Sequence, residues 1–237
     1  MSKVCDAVIF DLDGLLIDTE SLFSSINHKL LSKHGKKLTS ELEHRLMGTK
    51  SCEAVRVLLR ETNLEDTYTP DEYLSAFQAE LNSELPNVKE MPGATKLINY
   101  FHSLNIPIGV CTGSNNNEFA EKTKHFQHWL DKIQFKVLGT DVSKGKPAPD
   151  AYLEALKRLN NIVPTNPENV LVFEDALNGA TSAVLSNTTC ILVSNQIDDL
   201  RNNQQEQLNE VEPKLYAIIS SLLDFNPGDF DLPPIDG

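Results

Sequence analysis

Val8-Ile9-Phe10-Asp11-Leu12-Asp13-Gly14 is the stretch on which the fold turns. Three apolar residues in a row read as a buried strand, and that strand runs into two carboxylates one residue apart and then a glycine. Two anions crowded at the end of a buried strand repel each other, so a cation belongs between them. Taken alone, the pattern also suits a polar strand end entering a turn. The rest of the chain decides between the two.

Outward from this stretch the chain alternates. Short apolar runs read as strands at 4–10, 106–112, 135–139, 170–175 and 190–194, with helical patterns at 93–104, 151–159 and 176–185 between most of them. That order implies βαβ units and a parallel sheet. Between Asp18 and Glu90 the pattern changes: 21–31, 41–46, 51–60 and 71–81 all look helical and no strand is convincing. So long a helical run exceeds what one crossover needs and reads as an inserted domain. The expected fold is therefore α/β, a Rossmann-like parallel sheet core formed by residues 1–17 and 91–237 with an all-helical insert at 18–90. The acidic, proline-bearing segment from 224 to 237 reads as a loosely ordered terminus.

Composition narrows the functions. A formal charge of -13 argues against nucleic-acid partners, which need a basic surface. No apolar stretch is long enough to span a bilayer, so no membrane partner is expected. Cys5, Cys52, Cys111 and Cys190 are scattered without a C-x-x-C pair, which suggests neither zinc nor a disulfide framework and fits a cytoplasmic protein. Cys111 reads as an inert strand cysteine, and His125 with His128 as a surface feature at a helix end.

In open parallel sheets, ligands bind beyond the carboxyl ends of the strands. Asp11 and Asp13 follow the first strand, Thr112 with Gly113 and Ser114 follows the second, Lys146 lies in the loop after the third, and Glu174-Asp175 ends the fourth. Carboxylates that need a cation, a hydroxyl beside backbone amides and a lysine are the parts that Mg2+ and a phosphoryl group require.

Four motifs, FDLDGLLIDTE from Phe10, CTGSN from Cys111, GKPAPD from Gly145 and VFEDALNG from Val172, resemble those of the haloacid dehalogenase superfamily, in its phosphatase branch with a helical cap. The resemblance implies that Asp11 is the nucleophile and Asp13 the general acid/base, which also gives its backbone carbonyl to Mg2+. It implies that Thr112, Gly113, Ser114 and Lys146 bind phosphate, that Asp11, Asp13, Glu174 and Asp175 hold the metal, and that Glu20, Gly48 and Lys50 of the cap meet the substrate. Leu46-Met47-Gly48, Met91-Pro92-Gly93-Ala94 and the tail Leu223-Asp224-Phe225 with Asp231-Leu232-Pro233 are similar to the eukaryotic pseudouridine-5'-phosphatase group. The implied partner is a small phosphorylated metabolite, pseudouridine 5'-phosphate, handled by a monomer.

Other readings are weaker. No G-x-x-x-x-G-K-[ST] loop is present for a P-loop kinase. A strict dehalogenase has no use for Asp13. A β-phosphoglucomutase-like enzyme uses an Arg just after the cap glycine, where this chain has Thr49-Lys50-Ser51. An inactive binding module would not need the full set of polar residues.

Overall fold

The computed structural model describes residues 4–46 and 51–235, and Gly48 and Lys50 lie outside them. The chain divides into two units, Met1–Ile17 with Glu90–Gly237, and Asp18–Lys89.

The larger unit is built on six parallel strands, β1 (Ala7–Phe10), β2 (Ile108–Cys111), β3 (Phe135–Val137), β4 (Val170–Glu174), β5 (Thr189–Val193) and β6 (Ala217–Ile219). Their order across the sheet is β3-β2-β1-β4-β5-β6, so the chain winds outward from β1 in one direction and then the other. The reversal falls at β1, with β2 on one side and β4 on the other. β1, β2 and β4 are buried along their whole length, which is why they are unbroken apolar runs and not alternating ones.

The smaller unit holds α1 (Thr19–Ser32), α2 (Ser40–Leu46), α3 (Ser51–Glu61) and α4 (Pro70–Glu84). Each well-defined start is written in the sequence. Asp18 caps α1 by accepting from the Ser21 amide, while Thr69 and Glu72 form a reciprocal capping box ahead of Pro70 at the first turn of α4. Ile26, Leu30, Leu58, Leu59, Tyr73 and Leu81 form this unit's own core. Lys29 and Lys33 both reach Glu80, at 2.7 and 2.8 Å.

The remaining helices belong to the sheet unit: α5 (Ala94–Ser103), α6 (Asn116–Thr123), α7 (Gln127–Leu130), α8 (Asp150–Asn160), α9 (Leu177–Leu185), α10 (Ile197–Asn203) and α11 (Gln205–Val211). Of these, α6, α7, α10 and α11, like β6, escape the sequence reading. Glu90 also falls with the sheet unit, where it pairs with Ile17 beside the Met91-to-Leu16 hydrogen bond.

The segment after residue 224, read from sequence as loose, is packed. Phe225 and Phe230 are 6% and 2% exposed, and Phe225 sits 5.3 Å from Phe173 and 5.7 Å from Phe101, ring centre to ring centre. The Tyr100 hydroxyl donates to the Pro233 carbonyl at 2.5 Å. Aromatic anchors outweigh the disorder signal of Asp and Pro here, because each buried ring removes a large apolar area from water.

Truncating one of these anchors should therefore weaken the whole sheet unit. Phe225→Ala is expected to cost about 3 kcal/mol, the lower part of the usual range for a buried Phe. Denaturant unfolding measures it, and an unchanged midpoint would show that the tail does not support the core.

Candidate active site

Strand register brings the polar residues together. Phe10 lies opposite Val110 on β2 and Phe173 on β4, so the residues that follow each of them emerge at one level of the sheet. Asp11 continues β1 by one hydrogen bond, from its amide to the Phe173 carbonyl at 3.0 Å. Thr112 continues β2 in the same way, donating to the Val137 carbonyl.

Two linked networks result. In the first, the Lys146 ammonium lies 2.5 Å from Asp11 Oδ1 and 2.6 Å from Glu174 Oε1, and it also donates to the Cys111 carbonyl. The Tyr152 hydroxyl of α8 donates to the same Glu174 oxygen at 2.5 Å. Burial works against charge on Lys146, but Asp11 and Glu174 outweigh it and hold the ammonium well above the ordinary lysine value. Burial, with Glu174 next, pushes the Tyr152 phenol up as well, so it serves as a neutral donor.

In the second, Asp13 accepts from three side chains. Thr112 Oγ1 and Ser114 Oγ donate to its Oδ2 at 2.9 and 3.0 Å, and Lys122 Nζ of α6 donates to its Oδ1 at 2.6 Å. Lys122 also donates to Ser114 Oγ at 2.8 Å, and the Ser114 amide donates to Thr112 Oγ1 at 3.1 Å.

Asp11, Glu174 and Asp175 each present a carboxylate oxygen, all within 4.8 Å of one another. The set is hard oxygen only, which suits Mg2+ and disfavours zinc. The electrostatics agree with that fit. Burial pushes the Asp11 carboxyl up to about 7; Lys146 opposes the shift, and Glu174 and Asp13 add to it. A divalent cation among these oxygens would favour the ionised form of Asp11 at neutral pH. The Asp13 carboxylate is outside the cluster, engaged by its three donors.

Two glycines make the crowding possible. Gly14 has φ +85°, and a Cβ there would lie 2.2 Å from Asp175 Oδ2. A Cβ on Gly179, near the start of α9, would lie 2.0 Å from Glu174 Oε2.

The structure thus brings together Asp11, Asp13, Thr112, Ser114, Lys146, Glu174 and Asp175, with Gly113 exposed on the loop between Thr112 and Ser114. Glu20 belongs to the other unit, exposed in the first turn of α1. Cys111 is fully buried, its thiol pushed up by burial to about 12, as befits an inert strand cysteine. His125 is exposed, and the His128 ring meets Glu90 and Thr95 at 3.2 and 2.9 Å.

Lys122 and Tyr152 are site residues that the motifs do not include. Lys122 carries a signal of its own: with Phe119, Thr123 and Phe126 it falls at i, i+3, i+4 and i+7, which puts a lysine on the buried face of a helix.

Comparison with known proteins agrees with this geometry. Residues 8–193 match the model of the haloacid dehalogenase-like hydrolase family. A (DL)-glycerol-3-phosphatase of Arabidopsis thaliana is 33% identical, over 97% of this chain and 92% of its own. A probable pseudouridine-5'-phosphatase of Drosophila melanogaster is 31% identical over 95% of this chain and 93% of its own. Among solved structures, a HAD family hydrolase from Deinococcus radiodurans with bound phosphate and sodium superposes with a TM-score of 0.75 at 19% identity, covering 97% of this chain and 98% of that one, a likeness of fold. The strand order, the carboxylates at its switch point and the match along most of the sequence lead to one assignment: this chain belongs to the haloacid dehalogenase-like hydrolase family, in its phosphatase branch.

Proposed function

We propose that the protein is a Mg2+-dependent phosphomonoester hydrolase that works through an aspartyl phosphate on Asp11. The observation that carries this reading is the buried Asp11–Lys146 pair, 2.5 Å apart, beside Glu174 and Asp175. Asp11 attacks phosphorus in line, and the bond to the leaving alkoxide breaks as Asp13 gives that oxygen its proton. Asp13, now a carboxylate, takes a proton from water, whose oxygen attacks the same phosphorus, releasing phosphate and restoring Asp11. Lys146 offsets the repulsion between the attacking carboxylate and the phosphate dianion, and positioning with electrostatics is most of what phosphoryl transfer asks of a protein. Asp11, Glu174 and Asp175, with the Asp13 carbonyl, would hold Mg2+, which when bound neutralises charge on the phosphoryl oxygens.

For substrate we infer pseudouridine 5'-phosphate, supported by the likeness to the Drosophila relative and by the tail and cap motifs. Pseudouridine presents a ring N1–H where uridine has only carbon-bound hydrogen. A group that accepts from this N–H is left unpaired with uridine, and a site built around such a bond rejects the analogue strongly. The Arabidopsis relative favours a second reading, glycerol 3-phosphate, a substrate with no base at all.

Three outcomes test these statements. Asp11→Asn should keep the fold and lower kcat by at least about 10^3-fold, because Asn is nearly isosteric but cannot act as the nucleophile. Circular dichroism with phosphate release checks it, and retained turnover in an undeamidated sample would sink the mechanism. EDTA should abolish activity and Mg2+ restore it, while Ca2+, larger and more loosely coordinated, should not; full turnover after exhaustive chelation would overturn the metal dependence. On substrate, kcat/KM for pseudouridine 5'-phosphate should exceed that for uridine 5'-phosphate by about tenfold or more, up to roughly 10^4. Comparable values for both nucleotides, with a higher one for glycerol 3-phosphate, would replace the first substrate reading by the second.

A further inference from the structure

Lys122 has no part in the mechanism so far, yet its side chain is only 7% exposed. A lysine that deep on an apolar helix face gives up hydration, and it does so where its ammonium has fixed partners. Two of its three N–H donors are accounted for, by Asp13 Oδ1 at 2.6 Å and Ser114 Oγ at 2.8 Å. Ser114 passes its own O–H to Asp13 Oδ2 at 3.0 Å. Lys122 therefore holds both oxygens of Asp13, one directly and one through Ser114. Its reach follows from helix geometry: side chains lean toward the helix N-terminus, so a residue in the last turn of α6 points back to the loop that precedes it.

Thr112 completes the arrangement and exposes its weak point. A threonine hydroxyl has one hydrogen, and here it goes to Asp13 Oδ2 at 2.9 Å. A phosphate bound by Thr112 needs that same hydrogen. When the hydroxyl turns to the phosphate, Asp13 loses one of its three donors at the moment its position matters most.

We propose that Lys122 is a positioning residue that, with Ser114, keeps Asp13 in place at the leaving-group oxygen while Thr112 changes partner from Asp13 to the substrate. This inference rests on the reading of Asp13 as the general acid/base. It assigns Lys122 no contact with the substrate and no proton to transfer.

The test separates the proton-dependent part of the reaction from the rest. Wild type, Lys122→Met, Asp13→Asn and the double variant are compared on p-nitrophenyl phosphate, whose leaving group needs no proton, and on whichever of glycerol 3-phosphate and pseudouridine 5'-phosphate the wild type turns over. Because Asp13 also takes a proton from water once either leaving group has gone, the quantity compared is the single-turnover rate of leaving-group release: Lys122→Met should stay within about threefold of wild type on the aryl ester but lose about 10- to 100-fold on the alkyl ester, the scale expected when a catalytic group is misplaced by about an ångström. Asp13→Asn should show the same split more strongly, and the double variant should be no worse than Asp13→Asn alone. Equal losses on both esters, or no loss on either, would overturn the proposal. If Asp13→Asn splits the substrates and Lys122→Met does not, the positioning role alone fails. If Asp13→Asn itself shows no split, the acid/base reading fails and takes the inference with it. Asp13 keeps 27% of its side chain exposed, so losing its partner need not prevent folding. Should Lys122→Met not fold, Lys122→Gln is read in the same way, and a failure of both to fold would make Lys122 structural and refute the proposal.

Discussion

Four carboxylates, Asp11, Asp13, Glu174 and Asp175, converge at the ends of two neighbouring strands, and their mutual repulsion is the constraint that the rest of the site answers. Lys146 binds two of them and Lys122 a third, so the acidic groups outnumber the lysines that answer them. The substrate reverses this balance, since a phosphomonoester dianion arriving at such a site needs a matching positive charge. Asp11, Lys146 and the acidic pair Glu174-Asp175 thus form one electrostatic unit, in which the charges that repel one another would favour a bound cation.

Sheet topology supplies the rigidity that this unit needs. β1 is central, with β2 and β4 hydrogen-bonded on either side, so the backbone below Asp11 cannot shift without disturbing three strands. Phe10 and Phe173 stack 5.1 Å apart beneath the carboxylates, and Phe101 and Phe225 close around them. An apolar floor of this kind lowers the local dielectric and makes each charge above it count for more. Tyr152 fixes Glu174 by a neutral hydrogen bond where a further lysine would have cancelled the charge that a metal requires.

Legibility in the sequence follows how local each signal is. β1, β2 and β4 stand out as apolar runs because both faces are covered, and their terminal residues carry the chemistry, so strand and site are read together from Val8 to Gly14 and from Val172 to Gly179. β6 is three residues long and half-buried, too short for any periodicity. α6 opens with Asn115-Asn116-Asn117, a loop composition, and only the reciprocal bonds of Asn115 and Glu118 mark it as a helix start. The tail misleads because its prolines and aspartates outnumber the two rings, Phe225 and Phe230, that anchor it. Lys122 is legible only as a lysine on an apolar helix face: its partners Asp13 and Ser114 come from two separate strand ends, and nothing in one stretch of sequence shows that a helix will bring it to both.

The central place of β1 also shapes how the chain comes into being. Ala7–Phe10 is synthesised well before its partners, and Val8 must wait for Ile108 and Ile9 for Val172 before either is paired. Meanwhile the helices between Asp18 and Lys89, whose core residues all lie within that span, have their partners at hand. The strand that carries Asp11 is made before its partners and secured late, and the rings at 225 and 230 that help close its floor are made later still than β4 and β5. Long-range pairing of this sort folds slowly and leaves apolar strands uncovered during synthesis. An unfinished chain that stops before residue 170 therefore carries Asp11 on a strand with one open edge and no Glu174 beside it, which ties assembly of the carboxylate cluster to synthesis of β4.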